Sequence, residues 1–315
     1  MLVGDVFIQS FEMNQLYTFL VFLLIVTRVP LYSQDSSADP LLRMPQDLSQ
    51  LNLECDQVSS FQKNLHNLEG VKSLRIKGCN LSDLPRGIEN LKGLELLSIQ
   101  DNEISTLPEN LEDLKELQVL NLRGNNFKSF PKVLLNLPKL REIDFAYNTN
   151  LNVVQTVNSL AEIPKLDFLY LTGLNISTLP SEMKELTVLE ELHLDHNPNM
   201  DIDQVIGVLS SMTSLIILNL ESNNLKRVPP NIAELKLAGL VLDDNSHLNL
   251  EQAFNRLAEI KTLQVLLLRN NHLKFIPDNI NALSYLDVLE LGGNNLSDTE
   301  KARIIAALPN TKVVF

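Results

Sequence analysis

Residues 94–127 read LELLSIQDNEISTLPENLEDLKELQVLNLRGNNF and contain one eleven-residue pattern twice. The pattern is L-x-x-L-x-L-x-x-N-x-L, in which other aliphatic residues can replace leucine, and the two copies begin at Leu94 and Leu117. Alternation of apolar and other residues in its middle positions predicts a short β-strand whose aliphatic side chains point inward. Because the strand recurs at a near-constant interval, we expect the strands to stack into one parallel sheet.

The same pattern recurs from residue 48 to the end of the sequence. Leu48, Leu51 and Leu53 begin it in a degenerate form. The copies in register begin at Val71, Leu94, Leu117, Leu140, Leu166, Leu189, Leu215, Leu237, Leu263 and Leu286. This array resembles the leucine-rich-repeat superfamily over roughly residues 48–315. The resemblance implies an α/β solenoid, or horseshoe, of about ten full repeats with terminal capping coils, a parallel concave β-sheet and a convex side of 3₁₀ and α segments.

Asparagine recurs at the ninth position of the pattern. Its side-chain amide can bond the backbone where the chain turns out of the strand, and stacked amides then form a ladder that satisfies buried polar groups. Cys79 and Leu174 replace asparagine in two copies, so we expect the ladder to weaken there. The position is held by Asn102, Asn125, Asn148, Asn197, Asn223, Asn245, Asn271 and Asn294.

The segments between strands alternate in kind. Copies are 23 residues apart as far as residue 140, after which intervals of 26 alternate with intervals of 22 or 23. The short coils carry L-P-x-x-I-x-x-L, which resembles the coils of Ras-suppressor-type scaffolds, and the proline favours a turn or 3₁₀ segment. The long coils begin a helix with a polar cap and a Gln or Glu three residues later, the spacing of a capping box in which two amide donors are satisfied reciprocally. These pairs are Asn152/Gln155, Asp201/Gln204, Asn249/Gln252 and Ser297/Glu300.

Both ends of the array need a cover, because a terminal coil has no neighbour for its apolar face. We expect residues 48–70 to form an N-terminal capping coil, followed by the leucine-rich repeats over residues 71–309. Residues 310–315 predict a C-terminal capping strand with Val313 and Phe315 inward.

The sequence contains two cysteines, Cys55 and Cys79, and no tryptophan. Two cysteines are too few for a disulfide-built module or a structural zinc site, so the core must come from aliphatic packing. They lie about one coil apart, which brings a disulfide within geometric reach. The strict Cα spacing of a bridge favours the alternative of two independent cysteines.

The N-terminal residues differ in composition from the repeats. Residues 16–26 read LYTFLVFLLIV, an apolar run too short to span a bilayer but typical of a signal peptide. We predict a signal peptide over residues 1–33 and a linker over residues 34–47. No Lys or Arg precedes the run, and Met13 offers a second start for translation. The alternative is an uncleaved membrane anchor or an additional buried helix.

Composition and motifs exclude several classes of function. The net charge of −13 and the pI of about 4.9 argue against nucleic acid or an anionic membrane as a main partner. The sequence has no G-x-S-x-G, no phosphate-binding glycine loop, no H-E-x-x-H and no calcium-loop motif. We therefore expect no catalytic residues, no cofactor and no stable membrane span after removal of the signal peptide.

One short cluster resembles a set of metal ligands. His193 and Asp195 share one strand face, and His196 lies beside them. Two or three ligands within a single coil are a weak basis for a transition-metal site, so we expect ordinary solvated side chains and no metal.

The concave face contains the candidate binding residues. Positions three, five and seven of each strand point away from the core and form this face. Aromatic residues beside charges in the middle coils have the composition of binding hot spots. The predicted partner-binding residues are Tyr147, Phe168, Tyr170, Glu191, His193, Asp195, His196, Glu221 and Asp243. The first coils carry a secondary basic patch of Arg75, Lys77 and Arg123. Later coils carry an apolar patch of Ile217, Val241, Val265 and Leu267.

These features favour a non-catalytic scaffold that binds a protein or peptide through its concave face by shape and charge complementarity. The resemblance to Ras-suppressor-type scaffolds implies interaction without catalysis, and the absence of cysteine-rich caps favours a bacterial protein that is secreted, periplasmic or on the cell surface. One alternative is a surface receptor for a glycan or small ligand, with the aromatic rings as stacking platforms. Another is a cytosolic signalling scaffold, if the apolar N-terminal segment is a misassigned start.

Overall fold

A computed structural model describes residues 49–64, 68 and 70–315 of the chain. All of them belong to one unit, Met44–Phe315. The predicted signal peptide and the linker lie outside the described residues, and so does the first residue of the predicted N-terminal capping coil.

The described residues form one sheet of twelve parallel strands whose spatial order is their order in the sequence. The strands are β1 (Gln50–Leu53), β2 (Ser73–Ile76), β3 (Leu96–Ser98), β4 (Val119–Asn121), β5 (Glu142–Asp144), β6 (Phe168–Tyr170), β7 (Glu191–His193), β8 (Ile217–Asn219), β9 (Gly239–Val241), β10 (Val265–Leu267), β11 (Val288–Glu290) and β12 (Lys312–Val314). Each strand pairs in the register that the repeat predicts, so that Leu120 lies between Leu97 on one side and Ile143 on the other. The predicted leucine-rich-repeat solenoid is confirmed.

The core is a column of stacked aliphatic side chains. Leu97, Leu120 and their equivalents from β1 to β11 are fully buried, and Phe127 and Phe145 pack edge to face with ring centroids 6.5 Å apart. Burial of each such side chain contributes roughly 1.5–3 kcal/mol. Because each coil covers the next, the sheet extends as long as the pattern repeats.

The asparagine ladder forms as predicted. The Nδ2 group of Asn125 donates to the backbone oxygens of Ile99 and Leu122 at 2.9 and 3.0 Å. Its Oδ1 accepts from the backbone N–H of Ile104 at 3.0 Å. At Cys79 no such amide is present. The backbone N–H of Cys79 donates to Asn102 Oδ1 of the following coil. Each ladder asparagine therefore joins its own coil to the preceding one.

The convex side alternates between 3₁₀ segments and α-helices, as the sequence predicts. The 3₁₀ segments are Cys55–Gln57, Ile88–Asn90, Glu109–Asp113, Lys132–Asn136, Ser181–Glu185, Pro230–Glu234 and Asp278–Leu283. The helices are α1 (Val58–Asn64), α2 (Val153–Leu160), α3 (Ile202–Leu209), α4 (Leu250–Leu257) and α5 (Asp298–Ala307). Among the described residues, none of the helices is both long and apolar enough to cross a membrane.

The helix caps follow only half of the predicted capping box. The Asp201 side chain accepts from the backbone N–H of Gln204, as expected at an N-cap. The Gln204 side chain does not return to Asp201, because the Asp201 N–H already donates to Ser177 of the preceding coil. Gln204 instead donates to the backbone oxygen of Leu179 and accepts from its N–H, at 2.7 and 2.9 Å. The expectation of reciprocal capping was wrong, since this amide bridges two coils.

The two cysteines are joined, with an S–S distance of 2.08 Å and a Cα–Cα distance of 5.1 Å. The expectation of independent cysteines was wrong. Leu53 at the end of β1 pairs with Ile76 at the end of β2, so the residues that follow the two strands leave the sheet side by side. The bridge ties the first coil to the second at the edge of the sheet.

The C-terminal coil ends in α5 and β12, and β12 pairs with β11 as the predicted capping strand does. Val313 is half-buried, but Phe315 is 36% exposed, so the expectation that Phe315 points inward was wrong. No strand of the described residues covers the outer edge of β12, and the Lys301 ammonium lies 5.6 Å from the centroid of the Phe315 ring.

Candidate binding site on the concave face

Strands β5 to β8 place the candidate residues in rows that run across the sheet. Residues at one repeat position lie side by side, because the strands are parallel and in register. One row is Glu142, Phe168, Glu191 and Ile217. The adjacent row is Asp144, Tyr170, His193 and Asn219. The structure thus brings together the predicted aromatic residues of β6 and the predicted charged residues of β7.

Several predicted residues are much less exposed than the sequence analysis expected. Glu191, His193, Asp195 and Asp243 point to the concave face but are 1%, 7%, 8% and 1% exposed. Neighbouring strands are about 4.8 Å apart, so large side chains in one row cover one another laterally. His196 is exposed, as expected of a solvated side chain.

His193 is held on every side. Its Nε2 lies 2.5 Å from Glu191 Oε1, and its ring stacks on Tyr170 with centroids 4.3 Å apart and an interplanar angle of 23°. Its Nδ1 lies 3.1 Å from Asn219 Nδ2. Asn219 Oδ1 accepts from the backbone N–H of Glu221, which turns the NH₂ group of that amide toward His193. In the neutral form of the ring this arrangement favours the tautomer in which Nδ1 accepts from Asn219 and Nε2 donates its proton to Glu191.

Asp195 is the second centre of this network. One of its carboxylate oxygens accepts from Thr172 Oγ1 at 2.8 Å and from Asn219 Nδ2 at 3.3 Å. The other lies 3.0 Å from Nδ1 of His196. With its oxygens already engaged by protein groups, Asp195 is not arranged to bind a metal. No group of three or more His, Cys, Asp or Glu within the described residues is arranged to do so.

Tyr147 lies at the edge of the network. The Arg123 guanidinium covers its ring at 4.3 Å, and the His196 ring meets it edge-on with centroids 6.0 Å apart. Tyr147 has φ of 57°, which is uncommon for an aromatic residue. Its ring fits over Gly173, where an added Cβ would lie 2.6 Å from the ring. The tyrosine is therefore fixed by its neighbours.

The three residues of the predicted basic patch differ in their contacts and exposure. Arg123 belongs to the aromatic cluster through Tyr147. Arg75 is half-buried, and the exposed Lys77 pairs with Asp101 at 3.4 Å.

Sequence reasoning missed three charged residues of the site: Glu142, Asp144 and Arg141. Arg141 pairs with Asp167 through two hydrogen bonds of 3.2 and 2.5 Å, and its guanidinium lies 5.4 Å from the centroid of the Phe168 ring. The signal was available, because Arg141 and Asp167 occupy the same position in successive repeats. Writing the repeats in register places Glu142 beside Phe168 in the same way.

Burial and like charges shift the ionisation of this face. Burial raises the pKa of Glu142 to about 7, with further contributions from Glu191 and Asp144. Burial raises the pKa of Asp144 to about 6, against a hydrogen bond from the Ala146 N–H and the charge of Arg123. The Tyr170 pKa is also raised, by burial and then by Glu142. Burial and like charges thus favour the protonated forms of these acidic groups.

The pKa of His193 reflects opposing causes. Burial lowers it, but the hydrogen bond to Glu191 and the charges of Glu191, Asp195 and Asp144 outweigh burial, so the pKa of His193 is raised.

Glu221 and Asp243 lie further along the sheet. Burial raises the pKa of Glu221, with a contribution from Asp243. Burial also raises the pKa of Asp243 against the effect of Arg269, whose Nε and backbone N–H each donate to it at 2.6 Å. Asp243 is therefore paired within its own part of the face and makes no hydrogen bond to the His193 network within the described residues.

The predicted apolar patch on the later coils is partly covered. Ile217 and Val241 are half-buried, whereas Val265 and Leu267 are 4% and 3% exposed. The most accessible large rings of the predicted site therefore lie on β6 and just after β5.

A comparison with known protein families agrees with the repeat pattern over part of the chain. Residues 30–168 match the family model of a leucine-rich repeat region. A solved structure, the leucine-rich-repeat protein LIC12759 of Leptospira interrogans, is 21% identical to this chain with a TM-score of 0.38. The alignment covers 90% of this chain and all of the other, and at that TM-score it adds nothing to the geometry described above. No curated protein matches the sequence.

Proposed function

From the premise that this chain is a leucine-rich-repeat protein, we propose that it is a non-catalytic scaffold that binds a protein or peptide on the concave face of β5 to β8. The observation that carries the proposal is the cluster of half-buried rings of Tyr147, Phe168 and Tyr170 among charged groups. Large aromatic side chains on a solvent-facing sheet surface are the composition of interface hot spots.

Two of the three rings, Tyr147 and Tyr170, are also held by close contacts before any partner binds. Arg123 covers Tyr147, His193 stacks on Tyr170, and Arg141 lies over Phe168. Side chains that are already ordered lose little conformational entropy on association, which favours binding.

The same contacts favour a protein or peptide over a glycan. A sugar stacks on an open ring face, but one face of Tyr147 is covered by a guanidinium and one face of Tyr170 by an imidazole. A polypeptide can contact the remaining edges and the charged groups around them. The alternative function is a receptor for a glycan or small ligand, which binds without a protein partner.

We also propose that the protein acts outside the cytosol, after export directed by residues 1–33. The support is the apolar run of residues 16–26 followed by a polar stretch. Detection of residues 1–33 on the native protein would contradict cleavage, and a start downstream of them would favour the cytosolic scaffold.

The binding proposal is tested by affinity capture from native extract with the full chain and with a variant that carries Tyr147→Ala, Phe168→Ala and Tyr170→Ala. We expect the variant to retain roughly a tenth or less of the partner, since loss of a hot spot costs about 2 kcal/mol or more. Circular dichroism and the urea midpoint confirm that the variant is folded.

The matched control is Phe275→Ala, which removes an aromatic ring that is 71% exposed between β10 and the next 3₁₀ segment, away from the strands. Capture should be unchanged in this control. Equal capture by the parent and the triple variant would contradict a site on the middle coils. If the chain binds glycans on an array and captures no protein from the extract, the receptor alternative would be favoured.

A further inference from the structure

One carboxylate oxygen on the concave face lacks a hydrogen-bond donor. Glu191 Oε1 receives the His193 Nε2 proton at 2.5 Å, but the buried Oε2 has no partner among the described residues. Glu191 as a whole is 1% exposed, so water does not supply the missing donor from open solvent. An unsatisfied buried acceptor costs about 1–3 kcal/mol and calls for an explanation.

A second carboxylate in the same row also lacks a positive partner. Glu142 is half-buried and lies in register with Glu191 on the other side of Phe168. It accepts a hydrogen bond from Tyr170, and it makes no ion pair within the described residues. The guanidinium of the adjacent Arg141 is engaged by both oxygens of Asp167.

The other carboxylates of the face differ from this pair. Asp243 binds the Nε and N–H groups of Arg269, and Asp144 accepts from the Ala146 N–H at 2.8 Å. Asp195 is bound by the side chains of two or more neighbours. On the two sides of Phe168, Glu191 Oε2 therefore lacks a donor and Glu142 lacks an ion pair within the described residues.

We propose that Glu142 and Glu191 form an anchor for one basic side chain, arginine or lysine, of the bound protein or peptide. The cation first contacts Glu142, which is half-buried. Rotation of the half-buried Phe168 side chain then gives the cation access to Glu191 Oε2. A guanidinium or ammonium supplies the donor that Glu191 Oε2 lacks and a positive charge beside Glu142, and it can rest against the aromatic ring.

The ionisation of the face is consistent with such an occupant. The raised pKa of Glu142 reflects burial and the nearby charges of Glu191 and Asp144, which a cation would offset. The groups that act on Glu142 are Glu191, Asp144, His193, Asp167, Tyr170 and the adjacent Arg141. A bound cation should lower the pKa of Glu142, and binding near pH 7 should release protons.

This inference rests on the proposed function, and its test can fail separately. A library of random peptides displayed on phage is selected on the immobilised full chain, on Glu142→Gln and on Glu162→Gln. Glu162 is an exposed carboxylate just after α2 on the convex side, so its variant controls for net charge. We expect the peptides selected by the parent and by Glu162→Gln to share a basic residue, and Glu142→Gln to lose that preference.

A selected peptide is then synthesised with arginine and with the neutral isostere citrulline at the shared position. We expect Glu142→Gln and citrulline each to weaken binding roughly tenfold or more, and the two changes together to weaken it little further. Calorimetry in phosphate and in Tris buffer at pH 7 should show proton release for the parent and not for Glu142→Gln.

Selected peptides without a shared basic residue would overturn the anchor and leave the proposed function intact. Additive losses from Glu142→Gln and citrulline would also overturn the anchor. Selected peptides that bind the triple aromatic variant as well as the parent would overturn both. If Glu142→Gln does not fold, the citrulline peptide and Glu191→Gln decide the question.

Discussion

Two sets of buried polar groups run through this solenoid, and they differ in how completely they are satisfied. In the asparagine ladder eight coils present the same amide, and Asn148 illustrates the pattern with donated bonds to Leu122 and Phe145 and an accepted bond from Phe127. The network around His193 occurs at one place, and one oxygen of Glu191 is left without a donor.

The difference separates what the fold requires from what it does not. A stacked sheet must satisfy the turn that follows each strand, so the ladder recurs with the repeat. Nothing in the stacking requires His193 or Glu191, since the coil of β3 has Ser98 at the position of His193 and Leu96 at that of Glu191. An incompletely satisfied buried network that the fold does not need is a candidate for function.

The largest effect is expected from a break in the ladder. Asn148 is fully buried, and Asn148→Ala would leave the Phe127 N–H without its acceptor and remove one of the two amide donors to the Leu122 oxygen. We expect the free energy of unfolding to fall by about 2–4 kcal/mol, measured by urea denaturation.

The matched control for this prediction is Asn150→Ala, because Asn150 is exposed on the same turn. Its effect should stay within about 0.5 kcal/mol. A similar loss in both variants would show that the ladder amide has no special weight, and the contrast with the His193 network would disappear.

The ladder and the sheet were predictable because they depend on residues within one repeat. The alternation around Leu97 and the asparagine at residue 102 specify a strand and its turn without information from elsewhere in the chain. The helix N-caps were predictable for the same reason, and Asp201 caps α3 as expected.

The errors concern contacts between coils. The destination of the Gln204 side chain depends on Ser177, which had already taken the N–H that the capping box needs. The disulfide depends on the register of β1 against β2 rather than on the number of residues between the cysteines.

The burial of the candidate site was also misjudged, because side chains in register on adjacent strands cover one another. Glu191 was predicted to be a partner-binding residue of the concave face because it points away from the core, but its row neighbours Phe168 and Ile217 cover it from the adjacent strands. Alignment of the repeats in rows, which the constant pattern permits, would have placed Glu142 and Phe168 beside it.

The second prediction concerns the pH dependence of stability that arises from the buried acidic groups of the middle coils. The folded-state pKa values of Glu142 and Asp144 are raised to about 7 and about 6, from the ordinary 4.5 and 3.8. Between about pH 4 and pH 7 the folded chain therefore binds more protons than the unfolded chain, and the free energy of unfolding falls as the pH rises. The raised pKa of His193 acts in the same direction, because its stabilising effect is lost as the pH rises through the folded-state value.

We expect the parent to be more stable at pH 5 than at pH 8 and Glu142→Gln to reduce that difference by about 2 kcal/mol at most. Urea midpoints at the two pH values measure it. Glu162→Gln controls for the general repulsion of an acidic chain, and an equal reduction in that variant would contradict a local origin at Glu142.

The smallest effect on stability is expected from Glu191→Gln. This variant gives the most direct comparison between the His193 network and the asparagine ladder. The substitution keeps an oxygen that can accept from His193 Nε2, and it removes a buried charge whose second oxygen has no donor. We expect the free energy of unfolding to change by less than about 1 kcal/mol, in contrast to the ladder variant, because the lost charge-assisted bond and the relieved burial of charge oppose each other. The pKa of Glu142, followed by NMR of its side-chain carboxyl carbon, should fall toward its ordinary value because Glu191 is a main cause of its rise after burial. A loss of stability as large as that of Asn148→Ala would place Glu191 among the groups that the fold requires, and the anchor would then lose its main structural support.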